Sequence, residues 1–205
     1  GTGIFSRQIL EQGYRVYSVE PNADMRRKAE ETLSSTPGFT SVNGTAENTT
    51  LPGGSADGVT AAQAFHWFDP DTFRSECRRI LKPGGNVLLV WNHRDESAPL
   101  VRENAEIFRK YCPNFTGFSG GNRSNPENIR RFFGESLHCE TFANDLFFTW
   151  EGFLQRALSS SYAPGEDDES YLPLANALRA LFDRYAEDGR LRMPNYTAAY
   201  WGKAE

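Results

Sequence analysis

The chain has 205 residues and a formal net charge of −5, long enough for one sizeable domain with a lid and too short for a multi-domain assembly. The acidic balance argues against sequence-independent nucleic-acid binding, which needs positive charge clustered on one face. Aromatic residues make up 13% of the chain, enough to build a packed core, and the longest apolar run, Val87–Trp91, cannot span a bilayer.

Helical and strand periods alternate through the first half. Gly1-Thr2-Gly3 leads into Ile4, Phe5, Ile9 and Leu10, whose spacing suits a short helix that Gly13 ends. Tyr14 to Glu20 is rich in β-formers and reads as a buried strand. Asn22 is placed to cap a second helix carrying Met25, Ala29 and Leu33 on one face. Pro37-Gly38 closes it, and a weak strand over Phe39–Val42 precedes a loop from Asn43 to Ser55. Ala56–Phe65 is a strand candidate built of small residues, as where a ligand approaches the backbone closely. Asp69-Pro70 is a strong helix start, and Phe73, Cys77, Ile80 and Leu81 mark its buried face. Lys82-Pro83-Gly84-Gly85 is expected to stop that helix before an apolar strand, Val87–Trp91. Strands separated by helices in this way imply right-handed crossovers and a parallel sheet.

The second half is less regular. Its expected elements are a helix over Leu100–Tyr111, a Gly-, Ser- and Asn-rich loop from Pro113 to Pro126, and a short helix from Pro126 to Phe133. An extended run follows over about Leu137–Thr149, then helices near Glu151–Ser160 and Tyr171–Glu187, and a last strand over Leu191–Trp201. Cys77, Cys112 and Cys139 are far apart and odd in number, which fits a reducing compartment better than a disulfide framework. With no basic-then-apolar leader at the first residues, this predicts a cytoplasmic protein. No CxxC or HxxxH spacing supports a metal site, and the five Asn-x-Ser/Thr triplets read as chance matches in loops.

Two features carry chemistry. A Gly-x-Gly opening a helix lets backbone approach a ligand, and the free N–H groups at a helix start attract an anionic group. Glu20, at the end of the next strand, is placed to accept the ribose hydroxyls of a nucleoside. With them, GTGIFSRQILEQGYRVYSVEPNADM resembles the back of motif I and the acidic second strand of class I S-adenosylmethionine-dependent methyltransferases. NGTAENTTLPGGSADGVTAAQAFHWFD, followed by RILKPGGNVLLVWN, resembles the later motifs of their small-molecule branch, often labelled methyltransferase type 11. The resemblance is specific over roughly Gly1–Asn92.

The resemblance implies a Rossmann-like α/β fold: a mostly parallel sheet with helices on both faces, an antiparallel last strand and a helical insertion in the C-terminal half. It implies a single methyltransferase domain over 1–205, with a cofactor-binding core over 1–95 and substrate-side or lid helices within about 96–190. S-adenosyl-L-methionine is the implied cofactor and a small molecule the implied acceptor, with no nucleic-acid or membrane partner and a monomer or homodimer as the working form. Carried over by position, Gly1 and Gly3 would back onto the methionine part, Glu20 would hold the ribose, and Pro21, Asn22 and Met25 would pack near the adenine. Ala46 and Glu47 match the adenine loop. Gln63, Ala64 and Phe65 match the strand end under the methionyl tail, and His66 would face the substrate cavity, as a base or as a packed imidazole. The family pattern expects an earlier strand and glycine before Gly1, so the sequence reads as a fragment whose sheet would be split.

His93 and His138 read as structural. Ser159-Ser160-Ser161-Tyr162 matches a polar cluster position of relatives, or is an ordinary helix end. Arg94 is placed to pair with an acidic substrate, or equally with a surface glutamate. The alternative functions are an NAD(P)-dependent Rossmann oxidoreductase, which lacks a Tyr-x-x-x-Lys pair here, and a catalytically inactive nucleoside-binding relative.

Overall fold

The computed structural model describes residues 1–118 and 126–204. The chain divides into two compact units: the described residues of Gly1–Val90, Ser124–Cys139 and Tyr200–Glu205, and those of Trp91–Arg123 and Glu140–Ala199.

In the first unit, α1 (Ile4–Glu11) follows Gly3, whose φ of 86° lies in the left-handed region. A Cβ at Gly3 would stand 2.7 Å from Leu33 Cδ1 and 3.2 Å from Ala29 Cβ. Glycine therefore serves both the turn and the close packing of α2 (Ala23–Leu33) against it. Asn22 caps α2 as expected, its side-chain oxygen accepting from the backbone N–H groups of Asp24 and Met25, each at 3.0 Å. The intervening β1 (Val16–Val19) pairs in parallel with β2 (Phe39–Val42), in register from Val16↔Phe39 to Val19↔Val42.

β3 (Ala56–Ala62) pairs in parallel with β4 (Leu81–Arg94), reaching Ala62↔Val90. Between them, α3 (Pro70–Ile80) is capped by Asp69, which accepts from the Thr72 N–H, and buries Phe73, Cys77 and Ile80. Here the expected glycine stop is unnecessary: the backbone turns extended at Leu81, so KPGG lies inside the strand and Leu81 leaves the helix. α5 (Pro126–Phe133) completes this core with Ile129, Phe132 and Phe133. Phe65, Phe73 and Phe132 meet ring to ring at centroid distances of 5.3 to 6.0 Å.

The second unit has its own core, centred on Leu100, Val101, Phe108, Phe153, Leu174 and Leu178. These come from α4 (Pro99–Tyr111), α6 (Trp150–Leu158) and α7 (Tyr171–Tyr185). The extended run after α5 is interrupted at Asn144-Asp145, giving β5 (His138–Ala143) and β6 (Leu146–Phe148). The last strand is likewise two, β7 (Leu191–Met193) and β8 (Asn195–Gly202). Pro194, with no N–H to donate, separates them. β7 runs antiparallel to β6.

The fold is thus mixed α/β with parallel strands at its centre and helices flanking them. Its strands fall in three sheets, ordered β1-β2, β3-β4-β8-β5 and β6-β7. No helix among the described residues is long and apolar enough to cross a membrane.

Candidate functional site

All the residues singled out as cofactor contacts belong to the first unit. Gly1 and Glu20 meet: the Gly1 amino nitrogen lies against Glu20 Oε2. The other carboxylate oxygen, Oε1, accepts from the Asn22 N–H at 2.8 Å. With its side chain only 14% exposed, Glu20 is a fixed acceptor just beyond the carboxyl end of β1. Arg26 fixes the same corner. Its Nη1 donates to the carbonyls of Glu20 at 2.9 Å and Pro21 at 3.3 Å, and to Asn43 Oδ1 at 3.1 Å. One guanidinium therefore ties the loop after β1 to the loop after β2. Asn22 is engaged as a helix cap, and Pro21 and Met25 are exposed. Their apolar atoms remain open for a flat ring to pack on.

Ala46 and Glu47 form the tip of a tight turn, closed by Thr45 N–H to Asn48 O at 3.0 Å and Asn48 N–H to Thr45 O at 3.3 Å. Glu47 Oε1 accepts from the Asp69 N–H at the start of α3, 3.1 Å away. Two residues after the tip, Thr49 is held by Glu76 of α3. Glu76 Oε1 accepts from the Thr49 N–H at 2.8 Å and from its hydroxyl at 2.5 Å, while Arg79 donates to both Glu76 oxygens. Arg79 and Thr49 pull the Glu76 carboxyl down to about 2. The turn is thus anchored to one helix at two points.

At the end of β3, Gln63 takes a φ of 53°, a left-handed conformation that a non-glycine residue rarely adopts. Its N–H still donates to Val90 O at 2.8 Å, which keeps the strand pairing to its last residue. Ala64 then opens a short 3-10 turn over Phe65–Trp67. Phe65 is 3% exposed, its ring given to the aromatic core. His66 lies against Trp67 with the rings tilted at 47° and their centroids 4.8 Å apart, and its buried Nδ1 has no hydrogen-bond partner among the described residues. Burial lowers its pKa below the ordinary 6.5, so the ring is neutral at pH 7. Trp67 beside it is 73% exposed.

These residues suit a nucleoside cofactor with a charged tail. They offer a rigid carboxylate at a strand end, a braced turn for a base, and strained backbone followed by an unsatisfied imidazole nitrogen where a reacting group would lie. Among the described residues no group of three or more His, Cys, Asp or Glu side chains could hold a metal ion. Cys77 and Cys112 are buried and Cys139 exposed, all three unpaired. His93 stacks on Tyr196 and His138 on Trp201, at 5.1 and 5.5 Å.

The sequence reading missed Arg26, Thr49 and Glu76. Arg26 left no signal, since its partners are backbone carbonyls. Glu76 did: it stands within the apolar stripe of Phe73, Cys77 and Ile80, where an unpaired carboxylate is expelled.

A methyltransferase-domain family model matches residues 1–89. An uncharacterized methyltransferase of Mycobacterium tuberculosis is 41% identical over 107 residues, covering 52% of this chain and 43% of the relative. The chain thus spans less than half the length of this curated relative. A solved protein from Anaeromyxobacter dehalogenans, assigned as a type II methyltransferase, superposes with a TM-score of 0.69 at 25% identity over 100% of this chain and 86% of its own. A geranyl diphosphate methyltransferase solved in complex with S-adenosylmethionine shares the fold, with a TM-score of 0.52 at 15% identity, over 100% of this chain and 75% of its own. Residues 1–89 are thus similar to a methyltransferase domain.

Proposed function

We propose that the protein transfers a methyl group from S-adenosyl-L-methionine to a small-molecule acceptor. The observation that carries this reading is the fixed Glu20 carboxylate just past β1, within the stretch matched by the methyltransferase-domain model. Glu20 accepts the ribose hydroxyls, Pro21 and Met25 pack on the adenine, and the Ala46-Glu47 turn offers backbone to its amino edge. Because Glu47 is engaged at the start of α3, that turn reads the base through main-chain atoms. Gly1, Gly3 and the backbone of Gln63, Ala64 and Phe65 accommodate the methionyl part. Asn22 acts indirectly, by fixing Glu20 and starting α2.

The cofactor, when bound, supplies an electrophilic methyl on a sulfonium. A lone pair of the acceptor forms the new bond to the methyl carbon as the carbon–sulfur bond breaks, and the sulfur leaves as a neutral thioether. The protein's contribution is alignment and exclusion of water. An acceptor that arrives protonated must lose its proton, and the neutral His66 imidazole is the group to take it. Residues 1–95 form the cofactor core in this reading, and about 96–190 supply the acceptor side. The three unpaired thiols support a cytoplasmic setting.

Calorimetry of the full-length protein with S-adenosylhomocysteine and with NADH tests the reading. Tight binding of the thioether, weakened about tenfold or more by Glu20→Ala, is expected. Preference for NADH, or unchanged thioether affinity in the variant, overturns it.

A further inference from the structure

The second unit contains a small cavity, of about 20 Å³, that the cofactor reading does not use. Arg94, Asn104, Arg156, Ser160 and Tyr162 bring their polar groups to its wall. Burial brings Arg94 down to about 10, and Arg156 nearby adds to this by disfavouring its charge. Neither pairs with a carboxylate among the described residues. Each instead lies over an aromatic ring: the Arg94 guanidinium carbon is 3.8 Å from the Phe118 centroid, and that of Arg156 is 5.5 Å from the Phe148 centroid.

A part-buried cation, Arg94, with an exposed second cation, Arg156, beside the same cavity is unfavourable without an anion. Aromatic platforms hold such guanidinium planes while leaving their donor edges free. Asn104 adds an independent sign. It is 3% exposed, and its Oδ1 is buried with no hydrogen-bond partner. A buried amide left unsatisfied is destabilising unless a ligand or water completes it. Rotation of that amide presents its NH₂ to an acceptor oxygen. The hydroxyls of Ser160 and Tyr162 add further donors.

We propose that this cavity binds the oxyanion of a small organic acid, carboxylate or phosphate, with Arg94 and Arg156 as its charged anchors. Arg94 is the last residue of β4, in keeping with ligands that bind beyond the carboxyl ends of parallel strands. Bidentate pairing of a guanidinium with a carboxylate or phosphate gives such a site its discrimination.

The test titrates the full-length protein by calorimetry with succinate and with inorganic pyrophosphate, with dimethyl succinate as the uncharged control. S-adenosylhomocysteine binding is measured separately on the same samples, so a failure of the cofactor reading shows there and nowhere else. Binding of at least one anion is expected, with none of the ester, and the preferred anion identifies the oxyanion. Arg94→Ala and Arg156→Ala should each weaken that binding about tenfold or more, with Arg94→Lys intermediate and the thioether affinity unchanged. Failure of both anions to bind, or equal binding by the folded variants, overturns the proposal. Equal binding of the ester does the same. Should either alanine variant fail to melt cooperatively, Arg94→Lys and Arg156→Gln carry the comparison.

Discussion

Glu76 reaches back 27 residues to Thr49 and accepts both its backbone N–H and its hydroxyl, at 2.8 and 2.5 Å. Only 7% of the Glu76 side chain is exposed, and Arg79 closes the other side of the carboxylate. A carboxyl folded at about 2, against an ordinary 4.5, favours the native state at any pH above 4.5. That contribution falls away as pH drops from 4.5 towards 2. Glu76→Gln should therefore lower stability by about 2 kcal/mol at pH 7 and flatten the acid limb of the stability profile. Urea unfolding from pH 7 to pH 3 measures both. An unchanged acid limb would remove Glu76 as the anchor of the turn.

Gly3→Ala combines a left-handed φ of 86° with a Cβ 2.7 Å from Leu33 Cδ1. The side chain of Leu33 can yield, but the backbone conformation cannot be relieved without moving the start of α1. A loss of about 1–2 kcal/mol is expected from the conformation alone. A companion Leu33→Ala change opens space without relieving the backbone, so it should not restore the melting temperature of Gly3→Ala.

At Gln63 the opposite substitution is informative. Glycine tolerates a φ of 53° freely, so Gln63→Gly should stabilise the fold by about 1 kcal/mol or leave it unchanged. The proposed cofactor contact runs through this residue's backbone, and a more flexible strand end should weaken S-adenosylhomocysteine affinity even so. Paired melting and calorimetry separate the two effects; a parallel rise in both would show that the strain is not tied to binding.

His66 predicts a pH limb. Its imidazole is neutral in the folded protein to below the ordinary 6.5, so the unfolded chain takes up a proton that the native chain refuses. Stability contributed by the part-buried neutral ring is present above 6.5 and decreases as pH falls below it. Methyl transfer to a protonated acceptor should hold down to below 6.5 and then decline. His66→Gln should reduce the rate by about 10²-fold and abolish that limb. A normal limb in the variant would assign the proton transfer elsewhere.

The elements most legible in the sequence were those set by neighbours a few residues away. Asn22 and Asp69 announce α2 and α3 because a cap is a local hydrogen bond. Phe39–Val42 was readable because Pro37-Gly38 and Asn43-Gly44 bracket it. The junction at Leu81 was not, since pairing with Ala56 draws that residue into the strand. Pro194 was in plain view, but its effect depends on two different partners for the segments beside it. In the site, Glu20 followed from strand position and Glu47 from the resemblance. Asn104 lies on the inward side of α4 and Arg156 on α6, and nothing within either helix shows that they share a cavity. Such convergence is a property of packing, not of spacing.

Glu47, bonded to the start of α3, gives the turn proposed to face the purine a further property. Held at its tip and again at Thr49 by the same helix, it behaves as a ledge on a beam, with little freedom of its own. The entropy of ordering it is lost when the polypeptide folds, so capture of the adenine carries almost none of that cost. Under the proposed reading, discrimination at this edge would be one of fit to a rigid template, and release of the spent nucleoside would not wait on the ledge opening.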